Sequence, residues 1–192
     1  MELAGRRRRS RGRIAAWTFA ALMLLLPLFA MQVTDEVKWD AADFAIFGAM
    51  LAAACGTFEL AARMTGDAQY RAAVGMAVVA AFTLVWINLA VGIIGSEDDP
   101  ANLMYGGVLA VAMIGAVIAR FRPHGMARAL AATALAQALV GAIALAAGLG
   151  AAAPSFPEAV VFLTGLFASL WLISAWLFRK AARDARWRSA VG

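Results

Sequence analysis

The chain alternates six long apolar runs with short connections that carry nearly all of its charge, and this pattern constrains the fold more than any other feature. Each run has about 20 residues, the length that an α-helix needs to cross the hydrocarbon core of a bilayer. The predicted spans cover approximately residues 14–33, 41–62, 72–94, 101–119, 127–149 and 158–178. The sequence therefore predicts an all-α protein, with a six-helix transmembrane bundle at residues 14–178 between basic tails at 1–13 and 179–192.

The positive charges lie on one side of the predicted membrane. Of the 17 Lys and Arg residues, all except Lys38 fall in the two tails and in the connections 63–71 and 120–128. Because cytoplasmic loops are enriched in Lys and Arg, both termini are predicted to be cytoplasmic, in a bacterial inner membrane. We expect these residues to meet anionic lipid headgroups, so the net charge of +5 does not indicate nucleic-acid binding.

The first apolar run follows the basic segment Arg6–Arg13, as the core of a signal peptide would. The run is about 20 residues long, which exceeds a typical signal-peptide core. Leu28 also occupies a position where a cleavage site needs a small residue. We therefore predict that this segment is the first transmembrane helix.

Several polar residues are explained by the starts of helices. Asp40 is a predicted N-cap of the second span, with Trp39 and Phe44 at the two positions of a hydrophobic staple. Asp67 and Asp99 are predicted to cap the third and fourth helices, and Pro100 follows Asp99 at a favourable first helical position.

Small residues predict where helices approach closely, because association in lipid depends on close backbone contact. The second span carries Gly48, Ala52 and Gly56, and the fifth carries a stripe of Ala127, Ala131, Ala134, Ala138, Gly141 and Ala142. Both spans are therefore expected to be central. The aromatic residues expected at the membrane interface are Trp17, Trp39, Tyr70, Trp171 and Trp176.

Polar residues inside the spans are few, and each is expected to face other helices because an unpaired polar group in lipid is costly. They are Glu59, Thr83, Asn88, Gln137, Thr164, Ser169 and Ser174. Glu59 is predicted to pair with Arg63, four residues later on the same helix, rather than to act as a proton relay.

The residue types that carry most enzymatic chemistry are scarce. His124 is the single histidine, in a basic connection, and Cys55 is the single cysteine, inside an apolar run. The sequence carries no nucleotide-binding loop and no hydrolase motif. We therefore predict no enzymatic activity, no metal site and no cofactor.

The densest polar feature surrounds the connection between the third and fourth spans. Carboxylate and amide oxygens are the ligands that hard cations prefer. The residues that could form a cation-collecting rim with a polar path leading inward are Asp35, Glu36, Asn88, Glu97, Asp98, Asp99, Asn102 and Gln137. The alternative interpretation is a solvated acidic turn that caps a helix.

Two stretches, Val33–Val37 and Trp86–Asp98, resemble a family of uncharacterised bacterial inner-membrane proteins. Members of that family carry Val-Thr-Asp-Glu-Val and Trp-Ile-Asn-Leu-Ala-Val-Gly-Ile-Ile-Gly-Ser-Glu-Asp at these places. The resemblance covers most of the chain after Val33. It implies a multi-span topology and no particular activity.

Two classes of function fit the sequence. The first is a channel or transporter for a small cation or solute, which the acidic periplasmic rim would collect. The second is a non-transporting subunit or scaffold that docks a helix partner, or a second copy, through small-residue faces. A continuous polar path would favour the first, and a dry bundle with an exposed face at Gly48, Ala52 and Gly56 would favour the second.

Overall fold

The computed structural model describes the backbone of residues 2–34 and 37–191 and the side chains of residues 13–34 and 37–187. Within these ranges the helices are α1 (Glu2–Val33), α2 (Ala41–Met64), α3 (Ala68–Ala90), α4 (Met104–Ile118), α5 (Pro123–Ala147) and α6 (Glu158–Val191). A short 3-10 helix, Pro100–Leu103, leads directly into α4. Six segments of the described chain are long and apolar enough to cross a membrane, which confirms the predicted all-helical, six-span architecture.

The ends of the helices differ from the predicted spans in two respects. The basic segments at both ends of the chain are helical, since α1 begins at Glu2 and α6 continues to Val191. By contrast, α3 ends at Ala90, a few residues before the apolar run does. The residues that follow it form a folded loop, described below, instead of a last helical turn.

The chain divides into two compact units, Met1–Met64 and Thr65–Gly192. In the first unit, α1 packs against α2. A Cβ on Gly48 would lie 3.8 Å from the side chain of Leu24, whereas one on Gly56 would meet no described atom within 4 Å. Of the α2 span, 11% is buried, and its predicted central position stays a prediction. Of its two glycines, only Gly48 lies at a close contact.

The second unit contains α3 to α6, with α5 and α6 as its central pair. The two helices pack along each other, while α3 packs against α6 and α4 packs against α5. Of the α5 span, 44% is buried, which confirms the predicted central position of this helix. At Gly141 a Cβ would clash with the side chain of Thr164, so the missing side chain is what allows α6 to approach α5.

The predicted helix starts are confirmed at three aspartates. Asp40 accepts hydrogen bonds from the amides of Ala42 (2.7 Å) and Asp43 (2.9 Å), and its own amide donates to the Asp43 carboxylate at 2.9 Å. The staple rings of Trp39 and Phe44 meet edge to face, with centroids 5.2 Å apart. Asp67 caps α3 through two backbone amides, and Asp99 caps the 3-10 helix through the amide of Ala101.

Two of the aromatic residues predicted for the membrane interface lie in the core instead. Trp171 is 1% exposed, on α6, which packs against α3 and α5. Tyr70 is also buried, where its hydroxyl donates to the carbonyl of Phe121 at 2.8 Å. The Tyr70 ring meets the ring of Phe178 edge to face, with centroids 5.0 Å apart. The interface prediction is therefore wrong for these two residues.

Candidate functional site

The connection between α3 and the 3-10 helix, residues 91–99, is a folded loop held by the side chain of Asn102. The backbone amides of Ile93 and Ile94 each donate to Asn102 Oδ1 at 3.0 Å. Asn102 Nδ2 donates to the carbonyl oxygens of Ile94 (3.0 Å) and Ser96 (2.7 Å). Both oxygen lone pairs and both amide protons of this buried side chain are therefore used by the loop. In this geometry Asn102 organises the loop and has no free atom to offer a cation.

Glycines allow the 91–99 loop to turn back over its own unit. Gly92 and Gly95 have positive φ angles of 72° and 71°, a backbone region that residues with a Cβ rarely adopt. Ile93 and Ile94 are buried between them. Gly95 also lies against Gly150 of the connection between α5 and α6, where a Cβ on Gly95 would lie 3.4 Å from Gly150 Cα. The loop therefore closes one end of the second unit.

The acidic residues of the predicted rim are arranged as a surface turn. Glu97 and Asp98 are exposed. Asp99 Oδ1 accepts from the Ala101 amide at 2.9 Å, so this carboxylate is engaged in capping. Asp35 and Glu36 lie outside the described residues, so their predicted proximity to Glu97 and Asp98 stays a prediction.

The two amides of the predicted polar path have different surroundings. Asn88 Nδ2 donates to the carbonyl of Leu84, one turn earlier in α3, at 2.8 Å, and its Oδ1 is buried without a hydrogen-bond partner. Gln137, near the middle of α5, has no exposed surface, and neither Oε1 nor Nε2 has a hydrogen-bond partner. An unpaired buried polar group costs about 1–3 kcal/mol, so Gln137 has no structural explanation of the kind that Asn102 has.

Two further unpaired hydroxyl groups lie in the second unit. Thr164 of α6 contacts α5 at Gly141, one turn beyond Gln137. The Tyr105 hydroxyl of α4 faces the Thr164 hydroxyl, without the geometry of a hydrogen bond, and both oxygens are buried and unpaired. Three helices of the second unit, α4, α5 and α6, thus each contribute a residue with unpaired buried polar atoms. We call Gln137, Thr164 and Tyr105 the Gln137 site.

The sequence identified only part of this site. Gln137 and Thr164 were predicted as polar residues inside spans, whereas Tyr105 was not singled out from the sequence. Ser174 meets the expectation that such residues face other helices, since its hydroxyl donates to the carbonyl of Ala73 at 2.7 Å. Ser169 does not, because it is exposed and bonds to Gly165 of its own helix.

Glu59 is the acceptor of a small charged cluster in the first unit. Arg63 donates to Glu59 Oε1, which confirms the predicted ion pair. Trp17 Nε1 donates to Glu59 Oε2 at 3.1 Å, and an Arg13 guanidinium nitrogen lies 3.5 Å from Oε1. The two residues of α1 were not foreseen, because pairing along one helix is visible in a sequence whereas pairing between helices is not.

A shallow depression of about 270 Å³ lies at the opposite end of the second unit from the 91–99 loop. Its polar wall consists of Asp67, which caps α3, and Tyr70, whose hydroxyl is bonded to Phe121. Because these groups already have partners, the Gln137 site is the stronger candidate despite being enclosed.

Comparisons of the chain with protein-family models, with curated proteins and with solved structures find no match. In the part of the chain whose side chains are described, no three His, Cys, Asp or Glu residues are grouped so that they could hold a metal ion.

Proposed function

We propose that this protein carries a small polar solute across a membrane through its second unit. The observation that supports this proposal is Gln137, a fully buried side chain whose amide oxygen and nitrogen are both unpaired. In transporters the substrate site commonly lies near the middle of the membrane-spanning helices, and Gln137 lies near the middle of the 25-residue α5. No enzymatic step is part of the proposal.

A neutral solute fits this core better than a cation. The inner parts of the four helices, residues 72–90, 104–118, 129–147 and 159–178, contain no Asp, Glu, Lys or Arg. A charge moved there would meet only neutral dipoles, and burying an uncompensated charge is far more costly than burying a hydrogen-bonded neutral group. Glu97 and Asp98 attract cations at the surface, but exposed carboxylates act weakly at ordinary ionic strength.

The mode of transport that fits is alternating access rather than an open pore. The 91–99 loop covers one end of the second unit, with Ile93 and Ile94 buried beneath it. The Gln137 side chain has no solvent-exposed surface. This arrangement corresponds to a closed intermediate of a carrier, in which the site must open toward one side at a time.

The proposed setting is the inner membrane of a bacterium, with both chain ends in the cytoplasm. The positive-inside distribution of Lys and Arg supports this orientation. The same residues would lie among anionic headgroups on the cytoplasmic face.

Solute flux into proteoliposomes tests the proposal. Stopped-flow light scattering would compare small neutral solutes with potassium chloride, using protein-free liposomes as the baseline. We expect faster entry of a neutral solute with the native protein and about a thirtyfold loss in Gln137→Leu, from the loss of two hydrogen bonds. Thr133→Val is the matched control, because Thr133 is equally buried in α5 but donates to Ala129 of its own helix. Native flux equal to the baseline for every neutral solute would refute transport.

The alternative, a non-transporting subunit or scaffold, predicts a different outcome from the same preparation. The open surface beside Gly56 favours the subunit or scaffold, since a Cβ on Gly56 would meet no described atom within 4 Å. Under this alternative the liposomes would be inert, and Gly56→Leu would change the size of the purified particle. A particle of unchanged size, together with solute flux, would exclude docking through this face.

A further inference from the structure

The unpaired atoms of Gln137 define the kind of group that would complement them. A glutamine side chain presents an acceptor, Oε1, and a donor, Nε2–H, side by side in one plane. Both atoms are buried and unpaired, and the side chain has no exposed surface. The complementary partner is a group that offers a donor and an acceptor at the same spacing, so that two parallel hydrogen bonds form.

We propose that the Gln137 site binds a small neutral molecule bearing a carboxamide or urea group. An amide pairs with another amide through two parallel N–H···O bonds and leaves neither atom of Gln137 unpaired. This inference rests on the proposed function, because it names the class of solute that the site would carry. The binding measurement below nevertheless stands apart from any measurement of flux.

Other unpaired polar groups of the second unit support a neutral ligand with additional hydrogen-bonding capacity. Thr164 and Tyr105 contribute two hydroxyl oxygens that are buried and without hydrogen-bond partners. A hydroxyl can both donate and accept, so these groups can satisfy the second N–H or the second lone pair of an amide. Trp171 Nε1, a donor in the same core, is also buried and unpaired. The absence of charged residues in residues 129–147 and 159–178 excludes a charged group as the matched ligand.

Two simpler explanations of the unpaired Gln137 amide make predictions that differ from those of a carboxamide site. If the amide is bonded only to a trapped water molecule, an amide and a ketone of the same size should bind equally. If the amide is unpaired and dry, replacing it with an apolar residue should raise the thermal midpoint of unfolding, and no ligand should bind.

The experiment measures binding of acetamide to the native protein in lipid nanodiscs by saturation-transfer NMR, with protein-free nanodiscs as the blank. Acetone, which has a similar shape but no N–H donor, is the control ligand. We expect acetone to bind about tenfold more weakly than acetamide, from the loss of at least one hydrogen bond. This comparison needs no variant. Equal binding of the two molecules, or no binding of acetamide, would overturn the inference.

Variants then locate the site. Gln137→Leu and Gln137→Met remove the amide with little change in volume, so a folding defect in one leaves the other for measurement. Both are expected to lose the preference for acetamide over acetone, and Thr133→Val is expected to keep it. Retention of the preference in a folded Gln137 variant would place binding elsewhere and overturn the assignment.

Failure of the two proposals can be told apart. Selective acetamide binding without solute flux would refute transport and leave the binding site standing. Flux of neutral solutes without selectivity for acetamide would refute the carboxamide assignment and leave transport standing.

Discussion

At the scale of single residues, Asn102 and Gln137 show how the same chemical group serves two purposes. The carboxamide of Asn102 makes four hydrogen bonds, all with the backbone of the 91–99 loop. The carboxamide of Gln137 makes none within the part of the chain that the structure describes. Since buried polar groups in proteins are paired in the great majority of cases, Asn102 is explained by folding, whereas the described residues supply no partner for Gln137.

Replacing Asn102 with Leu is expected to destabilise the protein strongly. The substitution leaves the buried amides of Ile93 and Ile94 without an acceptor, and each unpaired group costs about 1–3 kcal/mol. The expected loss is therefore about 3 kcal/mol, measured from the thermal midpoint of the purified protein. Asn88→Leu is the control, because its side chain makes a single bond to its own helix. A similar midpoint for native protein and Asn102→Leu would contradict the role assigned to Asn102.

The cluster around Glu59 is expected to tolerate single changes. Arg63→Ala removes one partner, but Trp17 and Arg13 still face the carboxylate, and exposed ion pairs contribute little in any case. Glu59→Gln keeps an oxygen that can accept from Trp17, so it is expected to lower the thermal midpoint less than Arg63→Ala does. The double variant Arg13→Ala/Arg63→Ala should lower the midpoint by more than the sum of the two single changes. Additive effects would show that the two arginines act independently.

At the scale of elements, the sequence predicted the helices well and the loops poorly. The length of an apolar run is a local property, so six spans and the caps at Asp40, Asp67 and Asp99 could be predicted from the sequence. The 91–99 loop was misjudged because the residue that organises it, Asn102, lies beyond the loop in the next helix. The Gln137 site was seen only in part, because its members lie on three separate helices.

Substitution of Gly150 is expected to separate backbone strain from loop contact at the end of the second unit where the 91–99 loop meets the connection between α5 and α6. Gly150→Ala places a Cβ at a φ of 79° and 2.5 Å from the backbone nitrogen of Gly95, so we expect a loss of about 2–4 kcal/mol. Gly148→Ala is the matched control, with a φ of 64° but no atom within 4 Å of its Cβ among the described residues, and should lose about 1 kcal/mol. The measurement is the thermal midpoint of each variant. Equal losses of stability in the two variants would show that backbone strain, rather than contact between the two loops, is what requires a glycine at position 150.

At the scale of the whole molecule, most positively charged residues of each of the two units gather at one end of that unit. In the first unit, Arg13 and Arg63 meet at Glu59, so the N-terminal half of α1 and the end of α2 share a basic region. In the second unit, a hydrogen bond of 2.8 Å between Gln69 and Asp184 joins the start of α3 to the end of α6. The basic connections and tail lie at that end, while Glu97, Asp98 and Glu158 belong to the loops at the other end. Each unit therefore has a basic end of its own.

Reporter fusions are expected to show the same orientation for both units. Alkaline phosphatase and green fluorescent protein are active on opposite sides of the inner membrane, and the basic ends should face the cytoplasm. Fusions after Asp67 and after Arg122 should therefore fluoresce, and fusions after Lys38 and after Asp98 should have phosphatase activity.

Because each unit has its own charge asymmetry, fusions in the second unit should give the same result when the first unit is deleted. Phosphatase activity after Arg122 in the full chain would refute the six-span orientation. A reversal seen only in the deletion would show instead that the first unit directs the insertion of the second.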